Sequence, residues 1–130
     1  MFEVEIWIDV TEKSDGVLKH VCTLFGRHSL PIRPMSGESF SYFAEKGAVY
    51  AFNLCSPIGP VPSNCIRVGI DEVSHYAVKT ESGLRYMTSV RCEEIAVPSL
   101  DDAKRACTFM IEQADFEIDP YGLNRLTDEA

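Results

Sequence analysis

Basic side chains are scarce in this sequence. The 130 residues include 12 Lys and Arg against 20 Asp and Glu, which makes the formal net charge −8 and the pI about 4.8. Because a polyanion needs a basic surface on its protein partner, we expect no direct nucleic-acid binding. Hydrophobic residues make up 45% and charged residues 25%, as in an ordinary globular domain, so the composition excludes a disordered chain.

Long apolar runs are absent too. No stretch approaches the roughly 18–20 apolar residues of a membrane span. Acidic residues interrupt the hydrophobic ones throughout residues 2–10, where a secretory signal would need an unbroken apolar core. We therefore expect a cytoplasmic protein with no membrane partner.

Recognisable metal and catalytic motifs are missing as well. The five cysteines are odd in number and include no C-x-x-C pair, so we expect no disulfide ladder, no metal and no other cofactor. The sequence has no H-E-x-x-H, no G-x-S-x-G and no glycine-rich phosphate loop, which predicts a protein that is not an enzyme. A nucleophilic pair that forms only in the folded chain, between His75 and either Cys55 or Cys92, stays open.

The first segment alternates between apolar and polar residues. Apolar side chains occupy every second position from 2 to 10, which is the period of a half-buried strand. Residues 17–25 fit two structures. Their apolar positions match a helix that ends at Gly26, but a hairpin across the Asp15-Gly16 turn fits equally, and their β-branched residues favour the hairpin.

The middle of the chain predicts further strands. Residues 40–55 predict a second hairpin. Residues 56–64 hold three prolines and a glycine, which indicates a semi-rigid surface loop. Residues 66–79 predict one long strand with a bend or bulge near Gly69, where the strand passes from one sheet to another. Residues 84–97 predict another long strand.

One amphipathic helix is predicted over about residues 99–115. Ser99 is a suitable N-cap, Asp102 follows at the capping-box position, and apolar residues recur at three- and four-residue spacing. A short strand is expected at 116–118, and residues 120–130 are expected to fray.

Together these elements predict an α+β fold in a single strand-rich domain over residues 1–119. Strands in consecutive hairpins followed by one helix favour a small antiparallel sheet of five to seven strands, with the C-terminal amphipathic helix covering an open end or face. We expect this sheet to be strongly bent or closed into an SH3-like or OB-like barrel. A flatter helix-on-sheet roll is the alternative.

The negative charge is concentrated near the C-terminus. Residues 99–130 hold eight acidic and three basic side chains, a balance of −5 out of the total −8. Ordinary solubility and helix capping would account for this, but a docking surface for a basic protein would use the same side chains. The candidate acidic patch consists of Asp101, Glu112, Asp115, Glu117 and Asp119.

A second candidate binding residue is Trp7, the single tryptophan. It lies on the polar face of the first predicted strand, between Glu5 and Asp9. Exposed aromatic side chains framed by charge are typical interface anchors. The alternative is that Trp7 packs beneath the helix or against a neighbouring strand.

These features support three functional hypotheses. The leading one is a small, acidic, non-enzymatic binding protein that inhibits a basic, nucleic-acid-handling protein or complex, as a DNA mimic would. Phage-encoded inhibitors such as anti-CRISPR proteins, and bacterial immunity proteins, share this size, acidity and lack of motifs, which is an analogy of class. The second is a small-molecule-binding or enzymatic domain with a site in the barrel mouth, and the third is a structural subunit that forms homodimers or larger oligomers. The pocket of the second hypothesis would be lined by Tyr50, Asn53, Cys55, His75 and Tyr86.

Overall fold

Residues 1–127 are described by the computed structural model, and they form nine strands and one helix. The helix, α1, spans Leu100–Ala114, and no helix in this part of the chain is long and apolar enough to cross a membrane. The strands are β1 (Phe2–Ser14), β2 (Val17–Leu30), β3 (Ser39–Phe43), β4 (Phe52–Ser56), β5 (Gly59–Ser63), β6 (Cys65–Thr80), β7 (Gly83–Cys92), β8 (Ile95–Val97) and β9 (Glu117–Ile118).

A mixed sheet of seven strands, in the order β3-β6-β7-β1-β2-β9 with β8 also on β1, curls strongly into a half-barrel. The strongly bent sheet and the single C-terminal helix are confirmed. The sheet has seven strands, within the predicted five to seven, but the purely antiparallel pairing is wrong, because β1 pairs in parallel with β7 and then with β8. The β1–β2 and β6–β7 hairpins lie side by side, and they meet through two strands that run in the same direction.

The β1–β2 hairpin contains a bulge at Val21. Residues 17–25 are strand, as favoured from the sequence, and Ser14 pairs with Val17 across the turn. Val10 pairs with Cys22 whereas Thr11 pairs with His20, so Val21 is an extra residue in β2. A bulge of this kind reverses the face to which all later side chains point.

The pairing predicted within residues 40–55 is wrong. β3 pairs with β6 and not with β4, and β4 forms a separate two-stranded sheet with β5. Residues 59–63 of the predicted proline loop are therefore strand. Pro60 and Pro62 alternate along β5, which has β4 on one side only, so a proline nitrogen can face away from the ladder at no cost in hydrogen bonds.

The long strand β6 and its bend near Gly69 are confirmed, but the strand does not pass to a second sheet, because β3 and β7 belong to the same curled sheet. The first residues of β6 pair with β3, its later residues pair with β7, and the register shifts between Ile70 and Glu72. The strand predicted over residues 84–97 is instead divided at Glu93 and Glu94 into β7 and β8. The break lets the two halves pair with successive parts of β1.

Helix α1 covers the inner face of the sheet. Its small residues Ala103, Ala106 and Cys107 are buried, which lets the helix approach the strands closely. The Sγ atoms of Cys107 and Cys22 of β2 lie 3.6 Å apart. The core joins alternate residues of β1 and β2 to this helix face and to Phe52 of β4.

The beginning of α1 is anchored by Asp102. The Ser99 hydroxyl accepts a hydrogen bond from the Asp102 N–H and donates one to its carboxylate. The same carboxylate accepts hydrogen bonds from the backbone N–H and the side-chain Nδ2 of Asn53. Burial alone would raise the pKa of Asp102, but these hydrogen bonds from Ser99 and Asn53 lower it.

Part of the segment that we expected to fray contacts the sheet. The Arg125 N–H donates to the Val21 carbonyl, and the Arg125 guanidinium lies 2.9 Å from the Glu12 carboxylate. Leu126 packs against the core. Residues 128–130, which we also expected to fray, lie outside the described residues. The short strand predicted at 116–118 is confirmed as β9.

We predict that Asp102→Ala lowers the free energy of unfolding by about 1–3 kcal/mol at pH 7, because it leaves the Asn53 N–H and the Ser99 hydroxyl without their acceptor. Since the pKa of Asp102 is lowered on folding, its contribution is complete above the ordinary value of 3.8 and is lost as the pH falls through the folded-state value. The difference in the free energy of unfolding between wild type and Asp102→Ala should therefore become smaller below pH 3.8.

Urea denaturation at pH 7 and at about pH 2.5 measures this difference. Asp101→Ala, an exposed acidic residue in the same helical turn, is the matched control and should cost less than about 1 kcal/mol. Equal losses for the two variants would contradict the anchoring role of Asp102.

Candidate functional site

Trp7 lies on the outer face of the sheet, away from α1. Its neighbours in sequence, Ile6 and Ile8, are completely buried on the inner face, and alternation along the strand turns Trp7 to the opposite side. The Trp7 side chain is half-buried. It does not pack beneath the helix. It packs against Phe25 of β2, with 4.4 Å between the ring centroids.

Four side chains form a continuous row across this outer face, which we call the aromatic row. The ladder pairs Trp7 with Arg91 of β7 on one side and with Phe25 on the other, and Phe25 in turn pairs with Glu117 of β9. Paired residues of adjacent strands point to the same face of a sheet. The aromatic row is therefore Arg91, Trp7, Phe25 and Glu117, with two aromatic rings between a basic and an acidic end.

Polar and charged side chains contact one another beside the Trp7 and Phe25 rings. The Asp9 carboxylate accepts a hydrogen bond of 2.7 Å from the Thr23 hydroxyl and lies 3.6 Å from the Arg91 guanidinium. The Arg27 guanidinium lies 5.9 Å from the centre of the Phe25 ring. The Asp9–Arg91 ion pair and the Arg27–Phe25 contact are both solvent-accessible, so they orient side chains more than they stabilise the fold.

A shallow groove of about 570 Å³ continues from the aromatic row to the end of the helix. Phe25 and Arg27 form one side, and Ile111 and Asp115 form the other, with Glu117 at the edge. Ile111 is 41% exposed although it is a large aliphatic residue of α1. The groove thus joins apolar surface on both sides to two carboxylates.

The geometry of the groove depends on Gly26. A β-carbon at this position would lie 3.1 Å from the Phe116 ring and 2.9 Å from Nε2 of His28. The absence of a side chain lets Phe116 pack directly on β2. This contact fixes the path of the chain from α1 into β9.

The structure divides the predicted acidic patch into three parts. Asp115 caps the end of α1, and Glu117 and Asp119 follow along β9 and its extension, where the Asp119 N–H donates to the Thr23 carbonyl. These three lie beside the β2 edge. Glu112, one turn earlier, accepts a hydrogen bond from the Tyr50 hydroxyl. Asp101 lies eleven residues before Glu112 on the helix, about 16 Å away along the axis.

Basic residues interrupt the acidic face between its two ends. Lys104 and Arg105 are exposed on the turn that follows Asp101, and they line a separate depression with Tyr50. The negative surface is therefore located at the C-terminal end of α1 and does not run along the whole helix.

The five predicted pocket residues do not come together. Tyr50 bonds to Glu112 and Gln113 on α1. Asn53 bonds to Asp102, and Cys55 lies two residues further along the same strand. His75 and Tyr86 belong to the β6–β7 hairpin, near the level of Val4 on β1, whereas β4 packs against β8 near Val10. These levels are about 20 Å apart along β1.

His75 forms no nucleophilic pair with Cys55 or with Cys92. The ring nitrogens of His75 lie 3.0 Å from the Thr88 hydroxyl and 3.2 Å from the Arg33 guanidinium. Cys92 is four residues beyond Thr88 on β7, about 13 Å away. Within residues 1–127, no three His, Cys, Asp or Glu side chains are grouped to hold a metal ion.

Phe25, Arg27 and Ile111 belong to the site, although no pattern in the sequence marks them as binding residues. An ideal hairpin from the Asp15-Gly16 turn would place Leu24 opposite Trp7 and would turn Phe25 to the other face. Only the bulge at Val21 places Phe25 opposite Trp7. The signal available in the sequence was the pair of adjacent apolar residues Val21 and Cys22, both of which are buried.

Comparisons with known proteins give no relatives. No protein-family model, no curated protein and no solved structure matches this chain.

The environment of each thiol predicts its reactivity. Burial, with Glu93 and Asp71 nearby, raises the pKa of Cys92 to about 12, and burial also raises the pKa of Cys55. A hydrogen bond from Cys107 lowers the pKa of Cys22 and raises that of Cys107, and both are buried. Because the thiolate is the reactive form and must be reached by the reagent, we expect only the exposed Cys65 to react rapidly with Ellman's reagent at about pH 8.

Cys65→Ser should abolish the rapid phase of this reaction, and all four remaining thiols should react after unfolding in guanidinium chloride. Cys55→Ser is the matched control and should leave the rapid phase unchanged. A rapid phase that survives in Cys65→Ser would contradict the burial of the Cys22–Cys107 pair or the slow reaction of Cys55.

Proposed function

We propose that this chain is a binding protein that docks on a partner protein through the aromatic row and the acidic groove beside it, and that the partner surface is basic. The observation that carries the proposal is the aromatic row itself. Two large rings stand side by side on the sheet face that α1 leaves uncovered, between Arg91 and Glu117.

The aromatic pair suits an interface. Trp7 and Phe25 are already packed together, so a partner would bury them with little loss of side-chain freedom. Tryptophan and arginine are the residues that most often dominate binding energy, and this row contains both types. The charged ends of the row would fix the orientation of the partner rather than supply most of the affinity.

The charge beside the rings favours a basic partner. Asp115, Glu117 and Asp119 lie at the C-terminal end of α1, and the last turn of this helix contains no basic side chain. The helix dipole adds a partial negative charge at that end. With a net charge of −8, the whole chain would also accelerate encounter with a basic surface and repel an acidic one.

The inhibitor proposal follows from the same surface. A groove that takes nucleic acid is lined by Lys and Arg, and the carboxylates beside the aromatic row have the charge to occupy such a groove in place of phosphates. Inhibition of a nucleic-acid-handling protein is therefore our specific proposal for the consequence of binding.

A pull-down from a host lysate tests the proposal. We expect Trp7→Ala to weaken retention of a partner about 30-fold, the loss associated with an interface hot spot, because the variant removes a half-buried ring from the outer face without opening the core. Glu117→Lys should weaken retention about tenfold at low salt and less at high salt, because it reverses one charge of the complementary pair.

Asp101→Lys is the matched control, an exposed acidic residue on the same helix about 16 Å from Glu112, and it should retain the partner as wild type does. The emission of Trp7, the only tryptophan, should change when the purified partner is added. Equal retention by wild type and Trp7→Ala, or no retained protein at all, would contradict the proposal.

A further inference from the structure

β2 has an open edge beyond its short pairing with β9. β9 pairs only with Leu24 and Phe25, although β2 continues to Leu30. The carbonyls of Val21 and Thr23 face the β9 side, since they accept hydrogen bonds from Arg125 and Asp119. Backbone groups alternate along a strand. The N–H and C=O groups of Arg27 and Ser29 therefore face the same side, where no strand of residues 1–127 pairs with them.

A depression of about 370 Å³ runs beside this edge, and we call it the β2 trough. Arg27, Ser29 and Leu30 form its strand side, while Tyr42 of β3 and Asp115 form the opposite side. It adjoins the groove of the aromatic row, because Arg27 and Asp115 line both. The trough is thus an extension of the proposed binding surface along an unpaired strand.

Tyr42 forms the wall of the trough opposite β2. Its hydroxyl oxygen is shielded from solvent and has no hydrogen-bond partner among the described residues. Its ring packs against Phe116, with 5.6 Å between the centroids. The Tyr42 ring therefore gives the trough a packed, apolar wall, and its hydroxyl is not accessible from the trough.

The helix end of the trough favours a cationic group. Arg27 also lines the trough, but its guanidinium lies over the Phe25 ring. The trough ends at Asp115, which adopts a left-handed conformation as the C-cap of α1, with φ 56°. The Asp115 carbonyl lies 3.4 Å from Nε2 of His28. No basic residue lies in the last turn of α1, so the negative end of the helix dipole is uncompensated there. Glu117 adds a second carboxylate in the adjoining groove of the aromatic row.

We infer that the β2 trough binds an extended, basic segment of the partner protein as an additional strand on β2. This inference rests on the proposed function and names the way the partner is held. Main-chain hydrogen bonds to Arg27 and Ser29 would supply affinity, and Lys or Arg side chains directed toward Asp115 would supply specificity. A second copy of this chain is disfavoured as the occupant, because two copies that each carry a charge of −8 repel one another.

A synthetic peptide tests strand addition directly. The probe is a blocked ten-residue peptide in which Lys and Thr alternate, added to the ¹⁵N-labelled chain at low salt. We expect the largest amide chemical-shift changes at Arg27, Ser29 and Asp115. Before addition, the Arg27 and Ser29 amides should exchange with solvent faster than those of Gly26 and His28, which face β1.

Two N-methylated versions of the peptide distinguish strand addition from general attraction. One carries N-methyl groups on every Lys and the other on every Thr. Only one edge of an added strand faces β2, so one version should lose affinity by about tenfold or more while the other keeps it. Equal binding of the two versions, or equal loss, would overturn the inference.

Variants of the chain provide the second measurement. Ser29→Pro removes the N–H that faces the trough and is tolerable at a strand edge, so the fold should persist while peptide binding falls about tenfold or more. Ser29→Thr keeps the N–H and is the matched control. A peptide in which Glu replaces Lys should not bind, and binding of this acidic peptide would overturn the cationic assignment.

Failure of the inference and failure of the proposed function give different results. If the Lys-Thr peptide fails to bind, or if Ser29→Pro binds it like wild type, strand addition is overturned. Loss of the lysate partner in Trp7→Ala would still support the aromatic row. If Trp7→Ala retains that partner while Ser29→Pro releases it, the trough is supported and the aromatic row is not.

Discussion

The bulge at Val21 is the constraint on which the aromatic row depends. With one extra residue in β2, Trp7 pairs with Phe25 and Ile8 pairs with Leu24. Without it, Leu24 would stand beside Trp7 on the outer face and Phe25 would point into the space that α1 occupies. A one-residue change of register exchanges the two faces of a strand, so the core and the aromatic row are fixed together.

The second constraint is the position of α1. Asp102 anchors its first turn to Asn53, and the small side chains of Ala103 and Ala106 hold it close to the inner face. Its last turn consequently ends beside the β2 edge, where Phe116 packs on Gly26 and carries the chain into β9. The helix therefore supplies both the wall of the trough and its negative potential.

Much of this could be predicted from residue patterns, and the rest depended on pairing at long range. Alternation identified β1 and the outward direction of Trp7, and the Ser99 N-cap located α1. The residue pattern of β1 and β7 does not indicate that the two strands pair in parallel. The two prolines of β5 predict a loop, whereas β5 is a strand that is hydrogen-bonded along one edge only. The candidate site could be predicted only in part. Residue patterns indicate Trp7 and Asp115, but they do not predict the bulge that brings Phe25 beside Trp7.

The open edge of β2 also bears on the meaning of the net charge. An unpaired strand edge is a template on which other copies can assemble, and proteins usually protect it with charge. Here the carboxylates of Asp115 and Glu117 flank the edge, and every copy carries −8, so association of like chains is opposed electrostatically. In our proposal the same charge attracts a basic strand of the partner. Under our proposal a single arrangement opposes self-association and favours a basic partner, which would give the surplus of acidic residues near one helix end a structural reason beyond solubility.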